Sequence, residues 1–173
     1  MIRFARFNIY LLALTLLLAA GCKTAEEKKK SKELTLLFVH IETNSDGSER
    51  NKGVTILRSS PIEVNIERDP FLTQNDVEAA FVVANPQGGF WIKVQFNRHG
   101  ALLLENASTT FKGKRFAILS QFGDARWLAA PIITQRITNG QLVFTPDATF
   151  DEAERIVRGL NNVAAQARKK NSF

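Results

Sequence analysis

The sequence predicts an α+β domain: a mixed, largely antiparallel sheet with two main helices packed on one face. Three observations point there. Several short runs alternate apolar and polar residues, the period-two pattern of half-buried strands. Two longer stretches repeat their apolar residues at helical spacing. Clusters of Gly, Asn, Asp and Pro separate these runs at short intervals. A length of 173 residues suits one such domain, and a composition of 45% apolar and 23% charged residues excludes wholesale disorder, collagen and a multispan membrane protein.

The chain opens on a leader, residues 1–21. Met1 to Asn8 carries Arg3 and Arg6 and no acid, and Ile9 to Ala20 is a run dominated by Leu and Ala. Those twelve residues would span about 18 Å as a helix, against about 30 Å of bilayer hydrocarbon, so they read as a signal peptide. The run ends in Leu18-Ala19-Ala20-Gly21-Cys22, which resembles a bacterial lipobox. That resemblance implies lipidation of Cys22 as the mature N-terminus, with a diacylglycerol on the thiol and an acyl chain such as palmitate on the amine. Two or more chains, at about 0.8 kcal/mol per buried CH₂, anchor a protein stably in a membrane. The competing reading is an ordinary or uncleaved signal with an incidental cysteine. Lys23 stands where enteric bacteria place an inner-membrane retention aspartate, which favours the outer membrane in hosts that use that rule.

Residues 22–32 form the lipidated cysteine and a charged tether without large apolar residues, too polar to order itself. Its lysines either solvate the leash or attract anionic headgroups. The domain proper is expected over residues 33–167, with a basic tail at 168–173. Leu34 to Ile41 reads as a buried first strand, Asn44 to Ser48 as a turn and Val54 to Leu57 as a short second strand. Ile62, Val64 and Ile66 alternate with Glu63, Asn65 and Glu67, a strand with one wet face. Thr73 caps a short helical turn. Ala80 to Ala84 and Phe90 to Phe96 flank the loop Asn85-Pro86-Gln87-Gly88-Gly89 as a hairpin.

Arg98 to Phe111 is predicted as a helix ended by Gly113, and Phe116 to Leu119 as a central strand covered on both faces. Pro131 to Ile137 and Gln141 to Thr145 are expected to be strands joined at Thr138-Asn139-Gly140. The final helix is the clearest element. Thr149 and Glu152 form a capping box, and Ala153, Ile156, Val157, Leu160, Val163, Ala164 and Ala167 form one apolar face. Gly159 interrupts that face, which implies a close helix–sheet contact.

Residues 61–162 carry an ordered set of short motifs: Pro70-Phe71-Leu72-Thr73, Asp76-Val77, Gly113-Lys114-Arg115-Phe116-Ala117-Ile118-Leu119, Ala130-Pro131-Ile132-Ile133, Asn139-Gly140 and Phe150-Asp151-Glu152-Ala153. Order and spacing resemble the periplasmic P1 head subdomain of SecD, a membrane subunit of the bacterial protein-export machinery. The resemblance implies a non-catalytic module that holds polypeptides emerging from the export channel. It also implies a periplasm-facing position, here as a stand-alone lipoprotein.

Chemistry-bearing constellations are not found. His40 and His99 belong to no metal-ligand pattern, no nucleophile elbow or phosphate loop occurs, and the single cysteine excludes a disulfide framework or Cys-based zinc site. No catalytic residue, metal or cofactor is therefore expected. The net charge of +6 invites a nucleic-acid reading, but the tether and Arg168 to Lys170 each hold +3 while Glu33 to Ala167 sum to −2. Nucleic acid is not an expected partner. Aromatic residues are the better candidates: Trp91, Phe122 and Trp127, with the turn at Gly123, supply either core packing or an exposed groove for extended polypeptide. The expected function is a lipid-anchored envelope binding module for extended or exported polypeptides. The alternative is an adaptor that docks one folded envelope or export-complex partner.

Overall fold

The computed structural model describes residue 30, residues 32–45 and residues 47–170. The leader, Cys22 and most of the tether lie outside the described residues. Residues from Lys32 onward form one unit. Among its described residues, nine strands and two helices follow in order: β1 (Leu36–Ile41), β2 (Asn51–Ile56), β3 (Ile62–Glu67), β4 (Leu72–Thr73), β5 (Val77–Ala84), β6 (Phe90–Phe96), α1 (Arg98–Thr110), β7 (Phe116–Gln121), β8 (Ala125–Ala129), β9 (Gln141–Phe144) and α2 (Phe150–Lys170). A single 3-10 turn, Gln74–Asp76, separates β4 from β5.

The α+β class holds, and every strand pairing is antiparallel. The strands nevertheless divide among three sheets instead of one layer: β4-β1-β7-β8, the β2-β3 hairpin and β5-β6-β9. The reason lies in β7. Phe116 and Ile118 point into the main core, while Ala117 between them points into a second core with Val54, Ile56, Val64 and Ile66. β7 is thus covered on both faces as its apolar run predicts, but a hairpin supplies the second cover. The main core joins Leu37, Val39 and Ile41 of β1 to Ile92, Val94 and Phe96 of β6 and to Ile156 and Leu160 of α2.

One expectation along the chain changes. Pro131 to Ile137 forms no strand, only an isolated bridge between Arg115 and Ile132. Pro131 has no amide to give a ladder, and the Ile137 amide instead donates to Ser108 Oγ of α1 at 2.9 Å. The turn expected at Gly123 closes a hairpin: β7 and β8 pair from Gln121–Ala125 onward around Phe122-Gly123-Asp124. The turn is tight because Gly123 takes a φ of +120°, open to glycine and strained for other residues.

The caps behave as the sequence implies. Thr149 Oγ1 accepts from the Glu152 amide at 3.2 Å while Glu152 accepts from the Thr149 amide at 2.9 Å. Arg168, Lys169 and Lys170 continue α2 as its last turn instead of forming a separate tail, where cations suit the helix dipole.

Candidate functional site

The sheet β5-β6-β9 has one face in the core and one turned away from it. Alternation along β6 sends Ile92, Val94 and Phe96 inward and Trp91, Lys93 and Gln95 outward. Register adds the outward neighbours in rows. Val83 lies opposite Trp91, and Lys93 sits between Phe81 on β5 and Val143 on β9. Phe81 is 47% exposed and Val143 42% exposed, among the larger apolar exposures of the described residues. Lys93 Nζ stands 5.2 Å from the Phe81 ring centroid, so its charge lies over an aromatic face. The result is an apolar outer face of Phe81, Val83, Trp91 and Val143 around one cation.

Of the aromatic residues singled out by sequence, this face takes only Trp91. Phe122 is 5% exposed and belongs to the main core, with the Arg126 guanidinium 5.2 Å above its ring. Of the two readings open for Phe122, core packing holds and the exposed groove is corrected: the tight β7–β8 turn folds the ring inward. Trp127 is half-buried against the second core and meets His40 edge-on, with centroids 5.5 Å apart. Gly123 is exposed, with the Arg155 guanidinium 3.3 Å from where a Cβ would stand. The four residues do not share one surface, because β7 and β8 send Phe122 and Trp127 to opposite faces while Trp91 belongs to another sheet. Phe81 and Val143 escaped notice in the sequence. Each sits in a strand pattern as an ordinary apolar residue, and only the register reveals that it shares the outward phase of Trp91.

The edges of this sheet differ. On β5, the Asn161 side chain of α2 accepts from the Ala80 amide at 2.8 Å and donates to the Ala80 carbonyl at 2.9 Å. That edge is closed at Ala80 by an amide that imitates a neighbouring strand. The β9 edge borders a groove of about 420 Å³ instead, between β9 and the extended segment 131–139.

The titratable groups serve the fold. Burial pushes the His40 imidazole below its ordinary value, against the raising effect of the Glu67 carbonyl 2.9 Å from Nδ1. His99 Nδ1 meets Asp76 Oδ1 at 2.9 Å, while the other Asp76 oxygen accepts from the Thr73 amide at 2.9 Å. Asp76 thus ties the 3-10 turn to the start of α1. Burial tends to raise the Asp147 carboxyl, but the Arg58 side-chain and backbone donors outweigh it and hold it low. The Thr149 amide, with Arg126 at 2.9 Å, holds Glu152 low. Among the described residues no group of three or more His, Cys, Asp or Glu could hold a metal ion. Nor is any helix among them long and apolar enough to cross a membrane.

This arrangement of three antiparallel sheets and two helices is similar to solved structures of SecDF. One, reported as the structure and function of a membrane component SecDF that enhances protein export, gives a TM-score of 0.57 at 22% identity, over 83% of this chain and 70% of that one. SecDF in a super-membrane-facing form gives a TM-score of 0.57 at 21% identity, over 81% of this chain and 21% of that one. The sequence pattern of the SecDF P1 head subdomain matches residues 51–165, and the chain belongs to that family. No curated protein sequence matches it.

Proposed function

We propose that this protein is a non-catalytic, lipid-anchored module of the bacterial cell envelope that contacts extended or exported polypeptides. Family membership supports the link to protein export, and the lipobox at Cys22 supports an anchor that holds the domain on the periplasmic side. The observation that carries the polypeptide contact is the outer face of β5-β6-β9, where Phe81, Val83, Trp91 and Val143 surround Lys93. Unfolded chains expose scattered apolar side chains and unpaired backbone. An apolar sheet face with one cation accepts them without demanding a sequence.

The test is a titration of the full chain, in detergent micelles, with a reduced and alkylated unfolded protein. Binding is expected, and the double substitution Phe81→Ser, Trp91→Ser weakens it at least tenfold. No binding at high micromolar concentration defeats the reading. Capture of one stoichiometric folded partner through a crosslinker at position 91 would favour the adaptor instead. For the anchor, Cys22→Ser is expected to move the protein from the membrane to the soluble fraction.

A further inference from the structure

The groove beside β9 has unpaired main chain on both walls. On the β9 wall, the Phe96 amide donates to the Gly140 carbonyl at 2.9 Å, and this sets the alternation along the β6–β9 ladder. Gln95–Gln141 and Lys93–Val143 are consequently the non-bonded pairs, and the amides and carbonyls of Gln141 and Val143 point away from β6. The Gln141 amide is met by Asn139 Oδ1 at 3.0 Å. Among the described residues, the Val143 amide and carbonyl have no partner.

On the other wall, the Phe116 amide donates to Pro131 O at 3.0 Å and the Ile133 amide to Lys114 O at 2.8 Å. These two bonds flank the Arg115–Ile132 bridge and make it a non-bonded pair. Arg115 turns its own amide and carbonyl to Glu42, so those of Ile132 point to the opposite side, away from the sheet. Ile132 and Val143 line the same groove, together with apolar Phe116, Ile133 and Leu142. Its one charged lining residue, Arg136, is paired with Glu105. The two sheets are tied near this point by the Asp147 amide, which donates to Leu128 O of β8 at 2.7 Å.

We infer that an uncharged, extended polypeptide segment adds to the edge of β9 in this groove, as a fourth strand of the β5-β6-β9 sheet. An extended strand carries donors and acceptors on both of its edges, so it can meet the unpaired groups of Val143 on one wall and of Ile132 on the other. Alternate side chains would meet the apolar lining, and with its one cation already neutralised the groove offers a charged side chain no counter-ion. Asn161 closes the β5 edge at Ala80, so addition is directed to β9. This inference rests on the polypeptide-binding reading and names its mode: backbone pairing at β9, continuous through Val143 with the apolar outer face.

The probe is a fluorescent peptide with a core of alternating Val and Thr and lysines only at its ends, titrated against the full chain in detergent micelles. A copy N-methylated at every core amide keeps the side chains and loses the donors. It is expected to bind at least tenfold more weakly. Val143→Pro removes an outward amide that has no partner within the fold, as prolines on sheet edges do, and is expected to weaken the parent peptide to a similar degree. Val82→Pro, at a β5 position whose amide points away from β6 and whose side chain packs on the core, leaves binding unchanged. Equal affinity of the parent and methylated peptides overturns the β9 assignment, whether or not Val143→Pro folds. If the unfolded protein also fails to bind, the polypeptide-binding reading falls with it. If that protein binds while methylation has no effect, only the strand addition is wrong.

Discussion

A single methyl group tests the closest approach made at any described glycine. At Gly159, an added Cβ would stand 2.1 Å from Thr35 Oγ1 and 2.9 Å from the Thr35 backbone nitrogen. Gly159→Ala gains about 1 kcal/mol of helix propensity but overpacks a contact of the kind that costs about 1–3 kcal/mol. Because backbone is among the atoms struck, rotation of the Thr35 side chain alone does not relieve the clash, and the cost wins. The variant is expected to lower the thermal midpoint by several degrees. His40 supplies a second residue-scale test. Its folded pKa is depressed by burial, so below an unfolded value of about 6.5 the unfolded chain binds the proton first. Stability is full above that value and falls as pH drops toward the folded pKa. His40→Asn should flatten the dependence of the urea midpoint between pH 7.5 and 5.5. Glu152, whose carboxyl is held low by the Thr149 amide and then Arg126, loses its contribution only at lower pH, as the carboxylates protonate.

Among the elements, α2 does more than cover the core. Its Asn161 bonds both backbone groups of Ala80, which would otherwise be an open position on β5. Asn161→Ala leaves a part-buried amide and carbonyl without protein partners, at a cost of about 1–3 kcal/mol. Hydrogen exchange at Ala80 should accelerate more than exchange in β1 or β7. The helix itself was legible in the sequence, because a capping box, an apolar face and end charges all agree. Asn161 was not: an asparagine beside an apolar face reads as a solvent-facing residue, and its partners lie 81 positions away. The β7–β8 hairpin was legible only as a turn at Gly123-Asp124. Whether Phe122 and Trp127 pack or face outward depends on the strand pairing, which sets them on opposite sides of one sheet, Phe122 in the main core and Trp127 half-buried against the second.

At the scale of the molecule, the family match begins at residue 51, yet β1 lies before it. β1 is an inner strand, paired with β4 on one side and with β7 over six residues on the other. A chain cut to residues 51–173 removes Leu37, Val39 and Ile41 from the main core and is expected to be unfolded by circular dichroism. The chain beginning at Lys32 should give a cooperative melt. The class of fold was readable because strand and helix periods are local properties. The division into three sheets was not, since it depends on which face of β7 each neighbour covers. Trp91 kept its place as a candidate because its outward phase is a local pattern. Phe81 and Val143 joined it only through cross-strand register.

The position of β1 also bears on mechanics. Just before β1, Glu33 is held to α2 by Arg158 at 3.0 Å and by Asn162, which donates to the Glu33 carbonyl at 2.8 Å. Traction entering the domain through Lys32 therefore loads these bonds first and then an inner strand with a ladder on each flank. A pull along β1 would shear both ladders together instead of unzipping hydrogen bonds one at a time. The first residues of the domain thus form a clamp against such a load, and in a pulling experiment β1 should yield after the β2-β3 hairpin.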